Sequence, residues 1–332
     1  LKRINETKSN QQLISQYSGR KKEIFGKMKN PSNKPHLLSE LNDLNQKLES
    51  LSFSAEKYWR EATYFSRSLS GYENKGLITQ GYAQLMKSGF PFEIIDGDNF
   101  HLPLEFLKDA FQGIYPTDKF CVISILGPQN SGKSTLLNFL FGCDFAVSDG
   151  RCTKGIYGTI VKSKIKDFDY FLIIDSEGLQ SIEKGDPEFD RKITIFLLAV
   201  SHLVLINVKD QVTEDIKKLM EVCIKVLSEI KANKLPTPLI YLVLNQKPDP
   251  NIFNDGESIY KIIEGLNLND IFKKVKFSQE NVSQLPSAFN ISTKELGSNV
   301  NEKWKHLRTN EDFIVIISEL FNRLLKNIKK KN

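Results

Sequence analysis

The stretch KFCVISILGPQNSGKSTLLNFLF, residues 119–141, decides the fold of this 332-residue chain. It holds an apolar run at residues 120–126, then the pattern Gly-x-x-x-x-Gly-Lys-Ser at residues 127–134, then apolar residues at helical spacing. A glycine-rich loop between a buried strand and a helix is the signature of a phosphate-binding loop. The stretch therefore predicts a nucleotide site in an α/β domain.

The residues of this loop have distinct expected roles. Gly127 and Gly132 permit backbone conformations and a close phosphate approach that a Cβ atom would prevent. The backbone N–H groups of the loop and the following helix N-terminus form a positive nest for a di- or triphosphate. We expect Lys133 to neutralise the outer phosphates and the Ser134 hydroxyl to bind Mg²⁺. The expected nucleotide contacts are Gly127, Pro128, Gln129, Asn130, Ser131, Gly132, Lys133, Ser134 and Thr135.

Composition is that of an ordinary globular protein, with 40% hydrophobic and 26% charged residues and a formal charge of +6. Part of this charge lies in the C-terminal LLKNIKKKN, which a solvated helix end explains, so nucleic-acid binding is not predicted. The four cysteines lack metal-binding spacing and indicate a reducing compartment. We see no signal peptide or transmembrane segment and predict a cytoplasmic protein, with membrane contact left open. Its first residue is leucine, which suggests a piece of a longer protein.

Strand-like and helix-like segments alternate from about residue 113 onward. This alternation predicts a mostly parallel sheet with helices on both faces. The expected strands are residues 120–126, 157–164, 170–174, 202–208, 239–244 and 287–292. The expected helices are residues 135–141, 190–200, 213–231, 258–266 and a C-terminal helix through residues 313–328. We divide the chain into a helical N-terminal region, residues 1–112, and a phosphate-loop domain, residues 113–332.

The N-terminal region reads as helix up to about residue 70, with breaks at Pro31 and Pro35. Leucines recur at three- and four-residue spacing between residues 37 and 51. This stripe packs either on a neighbouring helix of the same chain or on a second copy, and the pattern leaves both open. A short helix is expected at residues 77–87. The segment GFPFEIIDGDNFHLPLEFLKDAF, residues 89–111, then predicts a loop followed by a helix.

A second set of candidate residues follows the apolar strand YFLII, residues 170–174. In the sequence Asp175-Ser-Glu-Gly178, the carboxylate can hold Mg²⁺ and the Gly178 N–H can sense a γ-phosphate. In the loop GRCTKGIYGT, Thr153 is the candidate for the hydroxyl that completes the Mg²⁺ coordination and orders the loop. Thr159 is the alternative, but it lies within a strand pattern and is expected to be structural.

These motifs together resemble the guanine-nucleotide-binding domain of the very large interferon-inducible GTPases, and more widely guanylate-binding proteins and dynamins. The resemblance covers about residues 59–244 and rests on GFPFEIIDGDNFHLPL, GPQNSGKSTLLNFLFG, GRCTKGIY and IIDSEGL. The likeness to guanylate-binding proteins extends to EKGD at residues 183–186. The resemblance to these large GTPases implies a P-loop GTPase fold (G domain) in a large parent protein. It also implies Mg²⁺-dependent hydrolysis of GTP and homodimerisation through G domains.

The chain departs from these families where water is positioned. Small GTPases carry glutamine directly after the D-x-x-G glycine, and this chain has Leu179. Guanylate-binding proteins place a catalytic arginine in the phosphate loop, where this chain has Asn130. We expect slow intrinsic hydrolysis that rises when two domains face each other; the alternative is an assembly module that binds GTP and scarcely hydrolyses it. The candidate catalytic residues are Gln129, Asn130, Lys133, Arg151 and Thr153, although Arg151 could equally be a solvated loop charge.

The choice of base depends on a motif after the strand at residues 239–244. Guanine-binding proteins use Asn/Thr-Lys-x-Asp at this place, and this chain has Gln246-Lys247-Pro248-Asp249. We expect Asp249 to accept hydrogen bonds from guanine and the stem of Lys247 to cover the ring, with Gln246 replacing asparagine. The alternative is that residues 246–249 form a simple turn, and in that case the protein could be an ATPase. A later guanine-contacting loop is expected near residues 290–292.

Overall fold

The computed structural model describes residues 20, 40, 59–60, 62–63, 75–97, 99–145, 155–176, 178–179, 187–209, 214–232, 236–247, 281–286 and 311–331. The chain divides into two compact units: Leu1–Tyr72 with Ile182–Gly185, and Glu73–Ser181 with Asp186–Asn332. The described residues of the first unit are helical, and Arg20 forms an ion pair with Glu40 at 2.8 Å. The predicted leucine stripe lies outside the described residues.

The described residues of the second unit form seven strands and six helices. The strands are β1 (Phe92–Asp96), β2 (Phe120–Leu126), β3 (Gly155–Lys162), β4 (Tyr170–Ser176), β5 (Leu203–Lys209), β6 (Leu239–Lys247) and β7 (Val282–Pro286). The helices are α1 (Lys75–Lys87), α2 (Leu104–Ile114), α3 (Lys133–Phe141), α4 (Pro187–Val200), α5 (Glu214–Ala232) and α6 (Glu311–Lys331).

All seven strands belong to one mixed sheet in the order β1-β3-β4-β2-β5-β6-β7. Strand β3 runs antiparallel to β1 and β4, and the four other neighbouring pairs are parallel. Parallel strands need crossover connections, and α4 and α5 lie in the crossovers from β4 to β5 and from β5 to β6. The predicted α/β architecture with a mostly parallel sheet is therefore confirmed.

The core lies against both faces of this sheet. Successive strand residues alternate between the two faces, and the central strands β2 and β5 are mainly apolar on both. Helices α3 and α6 cover one face, with a buried cluster that includes Ile123, Ile125, Leu136, Leu140, Phe171, Leu205, Val243, Phe313, Leu320 and Leu324. On the opposite face Leu126, Ile174 and Ile206 are also buried, so the sheet is covered on both sides.

The structure corrects the prediction of a loop at the start of the segment 89–111. Residues 92–96 form β1, an edge strand paired with β3, and α2 follows it. Pro91 and Gly97 suggested a loop, but the five residues between them pair with β3 and bury Phe92 against the rings of Tyr82 and Phe111. The sheet thus reaches to the N-terminal side of the expected boundary between residues 112 and 113, and that division stays a prediction.

Several element ends also differ from the predictions. Helix α3 begins at Lys133 and α4 begins at Pro187, so both start earlier than expected. Strand β6 continues to Lys247, because Asn245 still pairs with β5 and Lys247 still pairs with β7. Strand β7 was not predicted, and the expected strand at 287–292 and helix at 258–266 lie outside the described residues. No helix in the described part of the chain is long and apolar enough to cross a membrane.

The assignment of β1 to the sheet predicts unequal effects for two nearby phenylalanines. Phe92 is 2% exposed, whereas Phe90 is 56% exposed. We expect Phe92→Ala to lower the free energy of unfolding by about 3 kcal/mol, because it leaves a cavity in the core. The matched control Phe90→Ala should change it by less than about 0.5 kcal/mol. Urea unfolding measures both, and equal effects would contradict the placement of β1.

Candidate nucleotide-binding site

The candidate residues that the structure describes meet at the carboxyl ends of the parallel strands. Gly127 follows β2, and Asp175 lies near the end of β4. Asn207 and Asn245 lie near the ends of β5 and β6. Ligands of open α/β sheets bind outside this edge. The sheet therefore brings the phosphate loop and the strand β4 carboxylate to the edge where a ligand is expected.

The conformation of the loop requires its two glycines. Gly132 has φ 80° and is the N-cap residue of α3. A Cβ atom on Gly127 would overlap the backbone oxygen of Asn207. Asn130, between them, also has a positive φ of 60°, which asparagine tolerates better than most residues. The loop thus makes tight, partly left-handed turns before the helix begins.

Several carbonyl groups of the loop accept hydrogen bonds from donors of the protein. The Gly127 carbonyl accepts one from the Leu179 N–H at 3.0 Å. The Pro128 carbonyl accepts one from the Ser131 hydroxyl at 2.9 Å and another from Lys133 Nζ at 3.0 Å. A phosphate is bound by N–H groups, so carbonyls that are occupied by protein donors favour a nest for an anion.

The predicted metal ligands Ser134 and Asp175 are in direct contact. The Ser134 hydroxyl, in the first turn of α3 beside Thr135, donates to Asp175 Oδ2 at 2.7 Å. The Asp175 side chain is fully buried, and Lys133 is 7% exposed. Burial of a carboxylate and an ammonium at the end of a sheet is costly without compensating partners. Here the hydroxyl and the loop carbonyl provide hydrogen bonds to the two charged groups.

The segment with Gly178 and Leu179 is packed against the phosphate loop. The Gln129 N–H donates to the Leu179 carbonyl at 3.2 Å, which pairs the two segments in parallel. A Cβ atom on Gly178 would lie 2.5 Å from the Cα atom of Gln129, so only glycine fits this approach. The Leu179 side chain is buried, at 4% exposure. The predicted γ-phosphate sensor thus lies directly beside the loop.

A cysteine near this site stays neutral at physiological pH. Burial raises the pKa of the Cys143 thiol from 9.0 to about 12, and the negative charge of Asp175 contributes to the same shift. A thiol with a raised pKa is a poor nucleophile and a poor metal ligand. Cys143 therefore adds no charge to the surroundings of Asp175.

The expected base-binding residues are only partly described. Gln246 has φ 59°, and its Nε2 atom would lie 2.9 Å from a Cβ atom on Gly132, so its side chain approaches the phosphate loop. The side chain of Lys247 and residues 248–249 lie outside the described part of the chain. The same holds for Arg151 and Thr153, for residues 183–186 and for residues 290–292. Their roles stay predictions.

Two asparagines at this edge were missed by the sequence analysis. Asn207 and Asn245 are buried in otherwise apolar strands, LVLINVK and LIYLVLNQK, and both amides donate to the Ser131 carbonyl. Buried side-chain amides are nearly always hydrogen-bonded. Each asparagine stands near the end of an apolar run in the sequence. A polar amide at this place suggests a hydrogen-bond partner at the carboxyl end of the sheet, so the sequence did carry a signal.

The sheet order, the phosphate loop with its lysine, and the serine–aspartate contact define a P-loop nucleotide hydrolase domain. The family model of the URGCP-like GTPase domain matches residues 6–250, and the chain belongs to this family. It is therefore a GTPase domain by family.

The known proteins that are similar to this chain include two interferon-induced very large GTPases. Interferon-induced very large GTPase 1 of Mus musculus is 32% identical over 222 residues, which are 63% of this chain and 8% of the mouse protein. The Homo sapiens protein of the same name is 33% identical over 168 residues, 48% of this chain and 7% of the human protein. The Protein SEY1 homolog of Theileria annulata is 29% identical over 287 residues, 77% of this chain and 30% of that protein. The resemblance seen in the sequence is confirmed, and this chain spans less than a third of each relative.

Proposed function

We propose that the domain binds GTP together with Mg²⁺ at the phosphate loop and hydrolyses it to GDP and phosphate. The hydrogen bond of 2.7 Å between Ser134 and Asp175 carries this proposal. It brings together a hydroxyl beside the phosphate loop and a carboxylate of β4, the two protein groups that hold Mg²⁺ in P-loop enzymes.

The donor atoms at this place fit Mg²⁺. The ion prefers oxygen ligands, keeps several waters and takes others from the phosphates, so one hydroxyl and one carboxylate suffice. Among the described residues no cluster of three or more His, Cys, Asp or Glu side chains forms a metal cage. Ser134 and Asp175 would hold the ion, and Thr153 is proposed to add a third oxygen. When bound, Mg²⁺ neutralises charge on the phosphate oxygens.

The protein's own contribution is electrostatic. Lys133 and the loop N–H groups are proposed to stabilise the charge that builds on the phosphate oxygens in the transition state. The buried position of Lys133 supports this role, because a charge in a low-dielectric surrounding interacts more strongly than one in water. Gly178, which lies against Gln129, is proposed to donate its N–H to the γ-phosphate.

The placement of the attacking water is the unusual part of this site. The side chain after Gly178 is Leu179, which is buried and has no atom that could orient water. We propose that Gln129 and Asn130 take this role, with Arg151 adding charge, and that intrinsic hydrolysis is slow. Facing of two G domains would order the loop that contains Arg151 and Thr153, and this homodimer is proposed to raise the rate.

Guanine selection is proposed to rest on Asp249, with Lys247 covering the base and Gln246 at the phosphate loop. Membership in a GTPase family and the similarity to interferon-induced very large GTPase 1 support guanine over adenine. The cysteine usage supports a cytoplasmic location. The second candidate, a module that assembles on GTP with little turnover, is favoured by the absence of a polar side chain at Leu179.

The metal assignment predicts a specific loss of activity. We expect Ser134→Ala and Asp175→Asn each to lower kcat/KM for GTP at least about tenfold at low Mg²⁺ concentration. Added Mg²⁺ should partly restore the serine variant, because the carboxylate remains. The matched control is Ser176→Ala, whose buried hydroxyl donates at 2.6 Å to the carbonyl of Ile125, a residue of β2 and not of the phosphate loop. Phosphate release across a Mg²⁺ titration measures this, and a wild-type titration curve for Ser134→Ala would refute the assignment.

The dimer proposal predicts a rate that depends on concentration. We expect phosphate released per domain to rise at least about tenfold between nanomolar and tens of micromolar protein, since pairing is proposed to order the catalytic loop. The control is the Lys133→Ala variant, which should stay inactive throughout. A turnover that is high and constant over this range would argue against stimulation by pairing. A negligible turnover at every concentration would favour the assembly module.

A further inference from the structure

We propose that Asn207 is a positioning residue for the phosphate loop, with Asn245 as a second support. The amides of these two residues hold one peptide group of the loop in the orientation that binds nucleotide. This inference rests on the proposed function of the loop and adds residues that touch no substrate. The two asparagines would affect nucleotide affinity by orienting the backbone of the loop.

The contacts converge on Ser131. Asn207 Nδ2 donates to the Ser131 carbonyl at 2.7 Å and lies 3.0 Å from the Ser131 hydroxyl oxygen. Asn245 Nδ2 donates to the same carbonyl at 3.2 Å. Asn207 is fully buried, and Asn245 and Ser131 are 3% and 1% exposed. One carbonyl oxygen thus receives two amide donors from the neighbouring strands β5 and β6, which is its full capacity as an acceptor.

The planar geometry of the peptide bond links the contact at the Ser131 carbonyl to the orientation of the Gly132 N–H group. In a trans peptide the C=O of one residue and the N–H of the next point in opposite directions. Because the Ser131 carbonyl points to the asparagine amides, the N–H of Gly132 points away from them. A rotation of this peptide group would replace an N–H donor with a carbonyl oxygen, which repels phosphate.

Asn207 also limits the loop at its other end. Its backbone oxygen lies 2.0 Å from the position that a Cβ atom on Gly127 would take. The same residue therefore contacts the first glycine of the loop and donates a hydrogen bond to the fifth residue, Ser131. Its backbone belongs to β5, which is paired with both β2 and β6. The loop is therefore held against a rigid central strand at two points.

The stability of the strand alone does not explain an amide at position 207. The neighbouring residues Ile206 and Val208 are buried and apolar. The Asn207 Oδ1 atom is buried and has no hydrogen-bond partner among the residues that the structure describes. A buried acceptor without a partner is destabilising, whereas an apolar side chain would avoid this cost. The hydrogen bonds to Ser131 account for an amide side chain at position 207.

The test compares two pairs of variants. Asn207→Ala removes both donor contacts, and Asn207→Asp places a carboxylate oxygen against the Ser131 carbonyl. The matched controls are Asn281→Ala and Asn281→Asp, since Asn281 is also buried and donates to a backbone carbonyl, that of Ile240, at 3.0 Å. Dissociation constants for GDP and a non-hydrolysable GTP analogue are measured for each, together with kcat, KM and the free energy of unfolding.

We expect Asn207→Ala to raise both dissociation constants about tenfold and Asn207→Asp to raise them further. KM should rise in parallel while kcat at saturating GTP changes less than about threefold, because the lost interaction acts on binding of the phosphates. The Asn281 variants should lose comparable stability but bind nucleotide within about twofold of the wild-type chain. Nucleotide affinity of Asn207→Ala equal to that of the wild type, or an equal loss in Asn281→Ala, would overturn the proposal.

Two further measurements separate a failure of this proposal from a failure of the variants to fold and from a failure of the proposed function. If the Asn207 variants do not fold, Asn245→Ala decides, with at least about threefold weaker binding expected and unchanged binding refuting the proposal. The preference of the wild-type chain for GTP over ATP is measured separately. A chain that prefers ATP would contradict the proposed function, whereas the ratio of variant to wild-type affinity for the preferred nucleotide still tests Asn207.

Discussion

The site depends on one constraint: the carbonyl groups of the phosphate loop must be satisfied by the protein so that its N–H groups are left for an anion. Three backbone carbonyls, those of Gly127, Pro128 and Ser131, accept hydrogen bonds from Leu179, from Ser131 and Lys133, and from the asparagine amides. A loop of glycine and polar residues has no stable conformation of its own. These contacts define the one it adopts.

The sheet supplies these contacts because its parallel strands end at one edge. Strand β4 brings Asp175 to Ser134, and the chain after it brings Gly178 and Leu179 to the loop. Strands β5 and β6 bring the two asparagines. The apolar faces of these strands are buried under helices on both sides, so their ends are held rigidly. Packing of the strands under the helices thus fixes the geometry of the phosphate loop at their ends.

The fold and the contact between Ser134 and Asp175 beside the glycine-rich loop could be predicted because their signals are local. The apolar run, the glycines and Lys133 lie within one short stretch, and the strand before Asp175 is apolar and short. Strand β1 was missed because Pro91 and Gly97 resemble loop boundaries, and its pairing with β3 is a long-range contact. Asn207 and Asn245 were missed for the same reason, since their partner Ser131 lies far away in the sequence. Residues such as Thr153 and Asp249, outside the described part of the chain, stay predictions.

The central claim is that this preformed loop, with the motif after β6, binds GTP in preference to ATP. Calorimetry of the purified chain with Mg²⁺ and non-hydrolysable analogues of both nucleotides tests it most directly. We predict tighter binding of the GTP analogue by at least about tenfold, or about 1.4 kcal/mol. Equal affinity for the two analogues would contradict the claim, because it would mean that Asp249 and its neighbours do not read the base.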